Sequence, residues 1–368
     1  MMKSGWRRAV MAGAILAMSL VCPPSEGMAE GTFAGKRAMF DEDPFWTNKA
    51  VADRTLQRIK DAGFNVYVPN VWHGRGTTWS STLAPWDFWL RDLSKTGVDP
   101  LKYLIEKAHS MGIEVHPWFN IVLRQSDIRP EFALPGKTSS GDGAFDVHNE
   151  QFRHWIASLV AEVAARYDVD GINVDHVRAI MLCTTATCIN EYRQKYGRTL
   201  QVDGVVLAMR PSQVPTLVQY QEQAVTETVK AVSDAVHAVK PHLLISADAI
   251  PDLAGAEQGQ NSIAWLNQRI VDVVLRMDYY RNIDVKLTDS IRQRLTNPDG
   301  LSVLISNISN YEEMRPGQAH FARDGAWVAN TVSLVHAHWP RTGIGVYFYK
   351  MLSDEQIAAL KQVFSAER

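Results

Sequence analysis

The sequence lacks several features, and each absence excludes a class of function. No apolar run approaches the ~18 residues of a membrane-spanning helix, so the chain reads as having no membrane span. Charge is short of either sign: a formal net charge of −2 over 368 residues carries no basic stripe of the kind that holds nucleic acid. Nor does it give a broad preference for polyanionic chains. The 23 glycines and 16 prolines are ordinary for this length, which excludes a collagen-like or low-complexity chain. Without a Pro/Gly/Ser-rich linker or a break in composition, one domain is expected. Histidines do not form ligand-spaced clusters. His336 and His338 are two apart in a helical stretch and point away from each other. No metal and no cofactor are therefore expected. What is present is a globular composition, 46% apolar and 21% charged, with 11 tryptophans.

The first residues read as a leader rather than as fold. Lys3, Arg7 and Arg8 make a basic start, an apolar stretch runs from Ala9 to Val21, and Gly27-Met28-Ala29 offers small residues for cleavage. This is the pattern of a secretory signal over 1–29, with a mature domain over 30–368 in the periplasm or outside the cell. The rival reading is a lipoprotein anchored at Cys22. It is disfavoured because Val21, immediately before that cysteine, is not small. After cleavage only Cys183 and Cys188 remain, an even number in an oxidising compartment. They read as a disulfide closing a short loop. Zinc is disfavoured because no histidine or further cysteine lies beside them in the sequence.

Along 30–368, helical periodicity alternates with short apolar runs. Strands are expected at 37–40, 64–71, 113–119, 171–174, 243–247, 271–277, 301–308 and 343–348. Helices are expected at 48–63, 100–110, 151–167, 219–239, 263–269, 326–337 and 353–364. About eight βα repeats in this length match a (β/α)8 TIM barrel. An open doubly wound sheet would need a glycine-rich turn after the first strand, and Asp41-Glu42-Asp43-Pro44 is unlike one. Two connections, 120–150 and 179–212, are long, and long loops in compact domains usually serve function.

In such a barrel the chemistry sits at the carboxyl ends of the strands. Those ends carry Asn70 and Trp72; His116, Trp118 and Asn120; Asp175, His176 and Arg178; Asp248; Asp278, Tyr279 and Tyr280; and Tyr347. Carboxylates, aromatics and amides on one rim suit a carbohydrate. Aromatic faces stack on sugar rings, and glycosidic cleavage usually takes two carboxyl groups. Trp86 and Trp89 fall outside any helical core pattern, in the loop after the second strand. Trp86 joins the expected sugar contacts together with Asn70, Trp72, His116, Trp118, Asn120, His176, Arg178, Tyr280 and Tyr347.

Several ordered motifs carry a resemblance. They are Leu83-Ala84-Pro85-Trp86, Asp99-Pro100-Leu101, Ala108-His109, Gly112, His116-Pro117-Trp118-Phe119-Asn120, and the run from Tyr167 to Asp175. Together they resemble glycosyl-hydrolase-like family 10, bacterial exported barrels related to amylase-type hydrolases. The likeness spans roughly 37–350 and is densest over 56–178. Poly-N-acetylglucosamine hydrolase domains of biofilm matrices are a more distant likeness. Family members often carry Asp-Asp-Tyr or Asp-Tyr-x-Arg after the fourth strand, where this chain has Asp175-His176-Val177-Arg178.

The resemblance implies an exported glycoside hydrolase acting on an oligo- or polysaccharide, a bacterial exopolysaccharide among them. The alternative is a carbohydrate-binding barrel without catalysis. Asp175 is expected as nucleophile or charge stabiliser. The second carboxyl is either Asp278, which Tyr279 and Tyr280 could shield, or Asp248, and Asp278 is preferred for its place at the strand end. The sugar, its linkage, the anomeric outcome and the oligomeric state have no signal in the sequence.

Overall fold

The computed structural model describes residues 33–250, 258–310, 313–315 and 318–366. The expected leader at 1–29 lies outside them. Eight parallel strand positions close into a barrel: β1 (Arg37–Asp41), β2 (Val66–Trp72), then β3 (Glu114–Val115) with β4 (Trp118–Asn120), then β7 (Gly171–Asp175), β8 (Leu244–Ala249), β9 (Val273–Asp278), β10 (Leu301–Ser306) and β11 (Ile344–Tyr347). β11 pairs with β1, and β1 with β2, which closes the ring. The expected third strand is broken at His116-Pro117, because proline has no N–H to give the ladder. A small antiparallel pair, β5 (Leu123–Arg124) and β6 (Gly143–Ala144), occupies the long connection after β4.

Around the barrel run α1 (Lys49–Ala62), α2 (Arg91–Ser94), α3 (Pro100–Ser110), α4 (Glu150–Arg166), α5 (Ala186–Tyr196), α6 (Leu200–Met209), α7 (Pro215–Val239), α8 (Ser262–Asn267), α9 (Val285–Arg292), α10 (Gly325–His338) and α11 (Asp354–Ala366). Local chemistry sets their ends. Asn48 caps α1, its side chain accepting from Val51 N, and Gly63 ends that helix in the left-handed region at φ +91°, where a Cβ is costly. Asp99 accepts from Lys102 N at the start of α3, with Pro100 in the first turn. The connection at 179–212 is not a bare loop: it holds α5, which has few apolar residues, and α6, whose apolar residues are spread around the helix, so neither shows a clear period.

The strands are buried on both faces, as parallel strands are, and their alternation sorts side chains into two cores. Phe40, Val66, Val68, Trp118, Leu244, Val273, Leu275, Met277 and Leu304 fill the barrel interior. Met39, Tyr67, Phe119, Ile172, Val174, Ile245, Ala247, Val274, Val303 and Ile305 face outward to the helices. A third, smaller core gathers Leu134, Ala144, Cys183, Cys188, Tyr192, Leu217 and Tyr220 beneath α5–α7. Cys183 and Cys188 form a disulfide, as expected. No helix of the described residues is long and apolar enough to cross a membrane.

Candidate active site

The inward face of β7 carries Gly171, Asn173 and Asp175, and that of β8 carries Leu244, Ser246 and Asp248. In the parallel register Asn173 lies opposite Ser246 and Val174 opposite Ala247. One step further up, Asp175 and Asp248 are neighbours on adjacent strands at the barrel mouth. Asn173 ties the two strands: its Nδ2 donates to Ser246 Oγ at 3.0 Å and to Asp248 Oδ1 at 2.9 Å.

The two carboxyls are driven apart in protonation. Burial alone would raise Asp175, but the charge and hydrogen bond of His176, the Arg178 guanidinium and the His176 backbone N–H outweigh it and hold the group at about 2. Burial raises Asp248 well above the carboxylate range, and the negative charge of Asp175 adds to that rise. The two acidities are pushed in opposite directions, which is how paired carboxylates divide nucleophile and proton-donor roles.

A chain of hydrogen bonds orients the anion. His73 Nε2–H donates to the Glu42 carbonyl at 2.9 Å. Its Nδ1 therefore accepts from Asn120 Nδ2, also at 2.9 Å. This leaves Asn120 Oδ1 to accept from His176 Nδ1–H at 3.0 Å, a proton that also faces Asp175 Oδ2 at 3.0 Å. Burial, followed by the charge of Arg75, lowers His73 to about 3, so that ring stays neutral. His176 reaches this position with a left-handed backbone, φ +48°, uncommon outside glycine.

Tyr279 and Tyr347 cover the pair from β9 and β11, stacked with ring centroids 5.5 Å apart. Tyr347 OH donates to Glu42. Burial raises the Tyr279 hydroxyl well above its usual range, and the charges of Asp248 and Asp175 add to it. Asp175 is 4% exposed and Asp248 1%. Several buried polar atoms at this end bond nothing among the described residues: both amide atoms of Asn70, Trp118 Nε1, Asn173 Oδ1 and Arg178 Nε. Buried polar groups are nearly always satisfied, so this set stands out as unused hydrogen-bonding capacity at the mouth.

Thus the structure brings together Asp175, Asp248, Asn70, Trp118, Asn120, His176, Arg178 and Tyr347. It separates others. Asp278, the preferred second carboxyl, faces outward. It accepts from Arg276 Nη1 at 2.6 Å and from Asp284 N at 3.0 Å, and Arg276 also reaches Thr288 of α9. Strand alternation turns it away from the lumen and gives the inward position to Tyr279. Trp72 is fully buried in the outer core, 5.6 Å from Trp155, because the register shifts between Asn70 and Trp72. His116 lies toward the barrel's other end. A Cβ on Gly171 would come within 2.7 Å of its ring, and its Nε2 pairs with Glu114 at 3.3 Å. Tyr280 is exposed, and Trp86 is half-buried in a bridge to Thr77. Sequence reading passed over Glu42 and Asn173. The alternation Leu244-Ile245-Ser246-Ala247-Asp248, polar on one face only, was the signal that Asp248 faces inward.

A family model described as glycosyl hydrolase-like 10 matches residues 41–133 and 138–297. The chain belongs to this family. Within glycosyl hydrolase-like 10, it is similar to glycosyl hydrolase DigH of Escherichia coli K12, with 24% identity over 255 residues, 63% of this chain and 58% of the relative. Glycosyl hydrolase YngK of Bacillus subtilis 168 is 24% identical over 135 residues, 33% of this chain and 26% of that one. The chain therefore spans less than two thirds of the length of these curated relatives. Among solved structures, the PgaB (BpsB) glycoside hydrolase domain of Bordetella bronchiseptica superposes with a TM-score of 0.63 at 10% identity, covering 89% of this chain and 98% of that one. The beta-galactosidase of Marinomonas ef1 gives 0.61 at 10% identity over 90% of this chain and 59% of that one. These likenesses establish the TIM-barrel fold.

Proposed function

We propose that the protein is an exported glycoside hydrolase that cleaves O-glycosyl bonds of an oligo- or polysaccharide, with bacterial exopolysaccharides as the first class to try. One observation carries this: two carboxyls on neighbouring strands share the mouth of the barrel, in surroundings that push their acidities in opposite directions. Asp248 donates its proton to the glycosidic oxygen as the bond to the anomeric carbon breaks. Asp175 attacks that carbon. Once Asp175 is esterified its charge is gone, so the influence that raised Asp248 weakens. Asp248, now a carboxylate, can take a proton from the water that releases the sugar. Neighbouring strands lie ~4.8 Å apart, nearer the ~5–5.5 Å carboxyl separation of retaining enzymes than the ~6.5–9.5 Å of inverting ones.

The depth of the pair favours a second reading. With Asp175 4% and Asp248 1% exposed, the barrel could hold carbohydrate at its Tyr279–Tyr347 surface without cleaving it. Assaying wild type, Asp175→Asn and Asp248→Asn against a glycan panel separates the two. Cleavage by wild type alone, with the product's first anomer read by NMR, supports the enzyme. Binding by all three without any cleavage leaves the binding barrel.

A further inference from the structure

The third core holds a cluster that the barrel chemistry does not use. Asp146 and His148, just before α4, come to the two cysteines, and one ligand atom from each of Asp146, His148, Cys183 and Cys188 lies within 4.8 Å of all the others. Asp146 Oδ2 is 3.3 Å from Cys183 Sγ and 3.9 Å from Cys188 Sγ. His148 Nδ1 faces Asp146 Oδ1 at 3.3 Å, and the ring stacks on Tyr220 with centroids 4.4 Å apart. The His148 side chain is 6% exposed, and its Nε2 is buried with no hydrogen-bond partner. A cleft of about 960 Å³, lined by Asp146, His148, Cys188, Glu191, Tyr220 and Glu227, leads to the group.

We propose that the dithiol form of this chain binds one zinc ion between Cys183, Cys188, His148 and Asp146, so that metal and disulfide are alternative closures of the same core. Two sulfurs, one imidazole and one carboxylate form a four-ligand tetrahedral zinc set, and Cys-x4-Cys is a known ligand spacing. Tetrahedral coordination at about 2.0–2.3 Å puts ligand atoms roughly 3.3–3.8 Å apart, within the span already present. Cys188 sits in the first turn of α5, capped by Thr185, where the helix N-terminus favours thiolate. On coordination the two thiols release two protons. Disulfide formation instead releases two protons and passes two electrons to a thiol–disulfide oxidant. The sequence concealed this because Asp146 and His148 lie more than thirty residues before the cysteines.

The test titrates the full chain, reduced with a phosphine under argon and stripped of metal, with Co2+ and then Zn2+. The proposal expects one equivalent of Co2+ to give thiolate-to-cobalt charge transfer and tetrahedral d–d bands, displaced by Zn2+. The oxidised chain should give neither. His148→Ala and Asp146→Asn should each weaken binding at least ~10-fold. Absence of the charge-transfer band in the reduced chain, or binding unchanged by His148→Ala, overturns it. If the reduced apo chain does not stay folded, thermal melting decides. Zn2+ must raise the midpoint of the reduced wild type by a few degrees and leave Cys188→Ser unchanged; no rise in wild type overturns the proposal.

Discussion

Asp248 and Asp278 end neighbouring strands, are 1% and 0% exposed, and do opposite things. Asp278 faces the helices and is compensated through one oxygen: Arg276 and the Asp284 backbone N–H both donate to its Oδ2. Asp248 faces the lumen, where its side chain accepts from the neutral amide of Asn173 and feels the charge of Asp175, which the more weakly acting Arg178 does not offset. Burial is common to both. Compensation differs, and it separates a structural ion pair from a group held ready to give a proton.

The largest effect should come from the lumen side. Asp248→Asn is expected to lower the initial rate of glycan cleavage about 10²–10⁴-fold, and Asp175→Asn at least as much, with both variants folded by circular dichroism. Loss of activity in neither would break the comparison at its functional end. On the outer side, Asp278→Ala strands a buried guanidinium. It should cost about 3–5 kcal/mol in urea denaturation, while activity per folded molecule stays near wild type. Removing the five-residue disulfide loop by Cys183→Ser should cost about 2 kcal/mol, again without a change in cleavage rate.

The pH dependence should be subtler, and its sign follows from the two shifts. Asp175 is lowered from 3.8 to about 2, so its stabilising contribution is present above the unfolded value and is lost as pH falls from about 4 through about 2. Asp248 is raised, so its neutral form favours folding at low pH and that contribution fades as pH rises. Asp248→Asn should therefore stabilise the protein increasingly toward neutral pH, read from urea midpoints across pH. The smallest expected effect is His176→Ala moving the acidic limb of the rate profile upward, because His176 is what holds Asp175 low. An unmoved limb would deny the relay its role.

The βα alternation, the capped helices α1 and α3 and the placement of Asp175 were all legible, because each rests on local periodicity or on a residue's place at a strand end. Helices α5 and α6 were not, since neither has a clear apolar stripe of its own; α9 was passed over although it is amphipathic and capped by Asp284, and the strand split follows from Pro117 having no N–H for the ladder. The second carboxyl was legible in part. Arg276, two residues before Asp278, signalled a self-paired outer face, whereas a place at the strand end does not by itself say which face a carboxyl takes.

From sequence alone the barrel, its family motifs, the cysteine pair and the rim's stock of acids and aromatics were determined, because periodicity and strand order are local properties. Only the tertiary structure decided that Asp248 rather than Asp278 meets Asp175, that His116 lies far from the mouth, and that Asp146 and His148 face the disulfide. The physical reason is that a strand's inward face depends on its register in the closed barrel, and a side chain's protonation depends on neighbours brought from distant parts of the chain.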